Sequence, residues 1–187
     1  QNESTGIVSG PRDVPDAEKR IENFPLWGKP GTKWHSPTTK FFQTKIIDPA
    51  TGKELTEVGS VGEFWYRGPN VIPCYFNRPD ITKTVFDKDG FFNTGDLFQI
   101  KEGNCIGFFD RTKDIIIRGG FNISAQEVEN MLLGHPKVLD VAAVAIPDEV
   151  MGEKTCVYVV PRQGEKVTLD DLTSFMKEKE IASYKLP

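Results

Sequence analysis

The pattern of apolar residues changes near Asp110, and that change constrains how the 187 residues can fold. Upstream, short alternating runs are broken by turn residues: "QTKIID", the turn "PATGKE", then "GEFWYRG", with Phe64 and Tyr66 facing one way and Glu63 and Trp65 the other. "DLFQI", the turn "KEGN" and "CIGFF" then spell a hairpin. Downstream, strand-like and helix-like runs alternate. Ile115, Ile116 and Ile117 read as a short buried strand, ended by a turn at Arg118-Gly119-Gly120. Ser124 and Glu127 are spaced as a capping box, with Val128, Met131 and Leu132 at helical spacing and Gly134 as the stop, which predicts a helix over 125–133. "VLDVAAVAIP" and "TCVYVVP" read as strands, and a second helix follows Thr168 with Leu169, Leu172, Phe175 and Met176 on one face. The fold class this implies is α+β: a β-rich part to about residue 110, then a small part built as strand, helix, strand, strand, helix.

Elsewhere the punctuation is local. Residues 1–40 are dense in Pro and Gly and read as loop, with one helical turn at Ala17 to Asn23. "NRPDITKTVF" places Pro79 early in a short helix capped by Asn77. His135, in "GHPKV", reads as an exposed turn residue.

With 38% hydrophobic and 27% charged residues the chain can bury a core. A net charge of -4 gives no general attraction for phosphate polymers or anionic lipid, so nucleic acid is not expected as a partner and any phosphate chemistry must be local. Cys74, Cys105 and Cys156 form no CxxC pair, which suits a reducing cytoplasm. There is no 18-residue apolar run and no signal-like start, so a cytoplasmic protein without a transmembrane segment is expected.

Three places could carry chemistry. In "FFNTGDLF", Thr94, Gly95 and Asp96 lie on a turn: Gly95 lets a ligand approach the backbone, and the Asp96 carboxylate can accept from two vicinal hydroxyls, as on a ribose. The same triplet also makes sense as a turn and nothing more. Arg111 comes fifteen residues later; a hairpin turning at "KEGN" returns it to Asp96, where the two could share a polyol or phosphate, while the competing reading is an Asp110–Arg111 surface pair. Gly119-Gly120 either shapes a turn or lets a narrow ligand pass along the backbone.

Five stretches in order, "GEFWYRGPNVIPCYFNRPD", "DGFFNTGDLF", "GFFDRTKDIIIRGGFNISAQEVE", "HPKVLDVAAVAIPDEVMGEK" and "SYKLP", resemble the signatures of the adenylate-forming superfamily: acyl-CoA synthetases, luciferase-like ligases and peptide-synthetase adenylation domains. The resemblance runs from about Gly62 to Pro187, with a weaker start at "NES". It implies an acid–thiol ligase that joins a fatty or aromatic carboxylic acid to ATP as an acyl-adenylate and passes the acyl group to coenzyme A, with Mg2+ as cofactor. The alternatives are an adenylation domain that loads a carrier protein and a non-catalytic nucleotide-binding remnant.

By matching positions, the resemblance implies that Asp96 and Arg111 bind the nucleotide ribose beside Thr94 and Gly95, that Lys113 is the hinge, and that Gly119 and Gly120 line the tunnel for coenzyme A. Glu3 would hold the metal, although Asn2 stands where Thr is usual. It implies residues 1–110 as the end of a large AMP-binding domain, 111–113 as the hinge and 114–187 as a mobile lid. No Ser/Thr/Gly-rich phosphate loop occurs, and the family's catalytic Lys would fall beyond Pro187. The expectation is a C-terminal piece of a longer enzyme, unable alone to adenylate an acid and prone to self-association through apolar surface.

Overall fold

Alternation of buried and solvent-facing side chains builds two antiparallel sheets with few helices, an α+β architecture. In this computed structural model, residues 9–29, 34–35 and 37–187 are described, and the chain divides into two compact units between Thr112 and Lys113.

The first unit holds α1 (Ala17–Glu22), β1 (Phe24–Pro25), β2 (Gln43–Ile47), β3 (Glu54–Leu55), β4 (Val61–Arg67), α2 (Pro79–Val85), β5 (Phe92–Lys101) and β6 (Cys105–Arg111). Its six strands lie in the order β1-β6-β5-β4-β2-β3. Phe64 and Tyr66 on β4 are buried with Leu26, Trp27, Ile46, Ile100 and Ile106. Burying side chains of this size stabilises by about 1.5–3 kcal/mol each, which is what fixes β4's register. Asp16 caps α1 by accepting from the N–H groups of Glu18 and Lys19.

Asn77 does not cap α2. It sits at φ 52, a left-handed residue that Asn tolerates, and it turns the chain into the helix. Arg78 flanks the helix instead, with Pro79 at its start, and its guanidinium holds the Asp80 carboxylate at 2.8 Å.

The second unit holds β7 (Ile115–Arg118), β8 (Phe121–Ser124), α3 (Ala125–Leu133), β9 (Val138–Asp148), β10 (Gly152–Pro161) and α4 (Leu169–Glu178), with its sheet ordered β8-β7-β10-β9. The order differs from the sequence reading by one strand, because the Gly-Gly pair does not end the strand but folds it back. Gly119 and Gly120 take φ of +58° and +83°, the conformation of a two-residue hairpin turn whose twist matches its strands. "FNIS" thereby becomes β8, with Ile116 facing Ile123 across the ladder.

One core closes this unit. Ile116, Ile123, Val128, Leu132, Val138, Val141, Leu172 and Met176 pack together, so α3 and α4 share one face of the sheet. Ser124 caps α3 by accepting from the Glu127 N–H at 3.1 Å, and Thr168 and Asp171 form a reciprocal capping box on α4. The Glu127 carboxylate serves a different purpose: it binds Lys185 Nζ at 2.6 and 2.7 Å. His135 is buried rather than exposed, 6% accessible, because its ring stands edge-on to Phe175 at 5.0 Å and its Nδ1 accepts from the Lys137 N–H at 3.2 Å.

Candidate functional site

The hairpin of β5 and β6 pairs Asp96 directly with Arg111. The Asp96 Oδ1 and Arg111 Nε atoms are 3.7 Å apart, an ion pair beyond hydrogen-bond reach. Asp96 is largely sheltered while the Arg111 side chain is 57% exposed, so the pair contributes about 0–1 kcal/mol to stability. Its chemistry is therefore a better account of it than its strength. A carboxylate that accepts from two hydroxyls, beside a guanidinium that can only donate, suits a vicinal diol next to a phosphate.

Thr94, Gly95 and Asp96 do not form a turn: they lie within β5, where the register against β4 shifts between Glu63–Leu97 and Trp65–Asn93, and local hydrogen bonds hold Asp96 in place. Thr94 donates its hydroxyl to the Phe64 carbonyl at 2.8 Å and accepts from the Asp96 N–H at 3.2 Å. Gly95, at φ +70°, has open space where a side chain would stand, and its N–H donates to Asn93 Oδ1 at 2.8 Å. Asp110 does not form a surface pair with Arg111. It is 4% exposed, and it accepts the Arg111 backbone N–H at 2.6 Å, which orients the backbone of the residue that faces Asp96.

Lys113 lies exposed in the single turn Thr112–Asp114, where the two units divide. Beyond it, Gly119 donates its N–H to the Met151 carbonyl at 2.8 Å, and a Cβ on Gly119 would come within 2.6 Å of Met151 Cε. A Cβ on Gly120 would meet nothing within 4 Å. Gly120 thus presents bare backbone to open space, whereas Gly119 is packed.

Glu3 lies outside the described residues. Among the described residues, no group of three or more His, Cys, Asp and Glu is placed to hold a metal ion, and no helix is long and apolar enough to cross a membrane.

Two further features stand beside the glycine turn. Arg118 and Phe121 grip Tyr184 and Leu186, and the only sequence signal for this is the "SYKLP" stretch itself. In the β9–β10 turn, Asp148 binds Lys154 Nζ and accepts from the Met151 and Val150 N–H groups at 2.8 and 3.1 Å. The lysine contact, followed by the backbone donors, lowers the Asp148 pKa to about 2.

Comparison with known proteins bears on what this arrangement is. Residues 127–187 match the family described as AMP-binding enzyme C-terminal domain. The medium-chain fatty-acid–CoA ligase of Escherichia coli is 40% identical over 146 residues, 78% of this chain and 25% of that protein. The 2,3-dihydroxybenzoate-AMP ligase of Bacillus subtilis is 40% identical over 129 residues, 69% of this chain and 24% of that protein. Among solved structures, ATP-bound MatB from Rhodopseudomonas palustris matches with a TM-score of 0.70 at 34% identity, over 78% of this chain and 29% of that one. The o-succinylbenzoate CoA synthetase of Bacillus subtilis with its acyl-adenylate intermediate gives the same score and identity, over 79% and 29%. The chain spans about a quarter of the length of the curated relatives it matches. Ordered motifs, α+β architecture, sequence relatives and structural neighbours agree: the chain belongs to the adenylate-forming superfamily of AMP-binding enzymes.

Proposed function

We propose that the protein carrying this chain is an AMP-forming acid–thiol ligase: it condenses a carboxylic acid with ATP to an acyl-adenylate, releasing pyrophosphate, and then transfers the acyl group to the thiol of coenzyme A, releasing AMP. The observation that carries this reading is the Asp96–Arg111 pair, a carboxylate and a guanidinium facing each other at the last rung of β5 and β6. In this reading Asp96 accepts from the ribose hydroxyls of ATP or AMP, and Arg111 donates to the ribose from the other side. Thr94 anchors this part of β5 to the Phe64 carbonyl, and Gly95 leaves open space beside Asp96.

Lys113 is the pivot in this reading, with residues 1–110 as the end of the nucleotide-binding domain and 114–187 as the lid. A lid that turns between two half-reactions needs a short exposed connection, and the turn Thr112–Asp114 has that form. Gly120 is where the thiol arm passes, because its bare backbone faces open space. In this reading Glu3 would hold the Mg2+ that the family uses.

A fatty-acid–CoA ligase and a dihydroxybenzoate-AMP ligase are each 40% identical to the chain over the residues they match, so an aryl-acid adenylation enzyme that loads a carrier is kept as the second reading. The test is to supply the protein that carries this chain with ATP, Mg2+, coenzyme A and a panel of aliphatic and aromatic acids, and to identify products by mass. An acyl-CoA formed from at least one acid is the expected result. Acyl-adenylate that accumulates without thioester would favour the second reading, and neither product would leave only nucleotide binding.

A further inference from the structure

Both residues that flank the glycine turn hold the same short segment of chain. Arg118 and Phe121 are paired across the β7–β8 ladder, so they form the last rung before Gly119 and Gly120. From one side of that rung, Arg118 Nη1 donates to the carbonyl oxygens of Tyr184 and Leu186 at 3.0 and 2.6 Å. From the other, the Phe121 ring lies against the Tyr184 ring with centroids 4.4 Å apart and planes 15° from parallel. Lys185, between the two gripped residues, reaches back to the Glu127 carboxylate in the first turn of α3.

These contacts do more than tether a segment. One guanidinium nitrogen spends its hydrogens on carbonyls two residues apart, which fixes the direction of the backbone between them as well as its distance. The opposite side of the turn is held by the β9–β10 turn: Gly119 donates to the Met151 carbonyl, Arg118 pairs with Gly152 of β10, and the Ile117 N–H donates to the Glu153 carboxylate at 2.6 Å. The turn is thus fixed between the β9–β10 turn and residues 184–186, and the second of these supports depends on the Arg118 and Phe121 side chains.

We propose that Arg118 is a positioning residue for the thiol-transfer step. With Phe121 it splints Tyr184–Leu186 to the rung that carries Gly119 and Gly120, so that the open side of Gly120 keeps one geometry as the thiol arm passes. Arg118 touches no reacting atom in this role, and the proposal rests on the reading of Gly120 as the thiol passage.

Two variants test it, Arg118→Gln, which shortens and neutralises the donor, and Arg118→Lys, which keeps its charge. In the 187-residue chain, hydrogen exchange at residues 119–122 and 184–186 should rise together by about tenfold in R118Q, while the β9–β10 ladder stays protected, and R118K should lie between R118Q and the parent. In the complete ligase, thioester formation should fall about 10- to 100-fold further than acid-dependent pyrophosphate exchange, the size expected when a reacting group is misplaced by about an ångström, with partial recovery in R118K. Unchanged exchange in R118Q overturns the splint whatever the acceptor, and equal losses in both half-reactions overturn its role in thiol transfer. A parent enzyme that makes acyl-adenylate but never a CoA thioester overturns instead the reading of the turn on which the proposal rests.

Discussion

Asp96 and Arg111 lie opposite each other in the β5–β6 ladder, fifteen residues apart in sequence and 3.7 Å apart at their charged atoms. Since the exposed pair adds little to stability, its removal should change binding far more than folding. Asp96→Asn should leave the unfolding midpoint within a degree or two and weaken AMP binding about 10- to 100-fold, the loss of one hydrogen bond to a charged acceptor at about 1.5–3 kcal/mol. Calorimetric titration of AMP into parent and variant checks it.

The β9–β10 turn should respond to acid. The Asp148 pKa is depressed to about 2 from an ordinary value of 3.8, so the folded state favours the ionised form. The sign follows: the contribution is fully present above about pH 4 and is lost as pH falls through 4 toward 2. Asp148→Asn should therefore be less stable than the parent at pH 7, and the gap should close by about pH 2. Denaturant unfolding of both proteins across that range measures it.

The two turn glycines should tolerate alanine unequally in function. Each carries a positive φ, so either substitution should cost about 1–2 kcal/mol in stability. At Gly119 the new methyl must also displace the Met151 side-chain end. At Gly120 the methyl meets no protein atom, so a loss of thioester formation in G120A beyond that of pyrophosphate exchange would come from filling the thiol passage. Equal loss in both half-reactions would contradict that role.

The core of the second unit predicts a larger effect. Leu132 on α3 is fully buried among Ile116, Val128 and Met176, and Leu132→Ala should destabilise by about 2–5 kcal/mol through lost burial and a residual cavity. Chemical unfolding followed by the near-ultraviolet signal checks it.

Much of this fold was legible because its signals are local. The 3.6-residue spacing of Val128, Met131 and Leu132 behind the Ser124 cap gives α3 its observed bounds, and alternation at Phe64 and Tyr66 gives β4 its inward face. What sequence spacing misses depends on partners far along the chain. The Gly-Gly pair reads as the turn that ends a strand until Ile123 is seen to face Ile116 across the ladder, and His135 reads as exposed until Phe175, forty residues later, covers it. The Asp96–Arg111 pairing was within reach because only one hairpin turn separates the two residues. The Arg118 grip on Tyr184 was not, because the two are 66 positions apart and the acceptors are backbone carbonyls that carry no sequence signature.

The most direct test of the central claim is acid-dependent exchange of labelled pyrophosphate into ATP by the protein that carries this chain, compared with its Asp96→Ala variant. The account predicts exchange that requires a carboxylic acid and falls at least tenfold in D96A. Exchange that is absent with every aliphatic and aromatic acid, or equal in the two proteins, would contradict it.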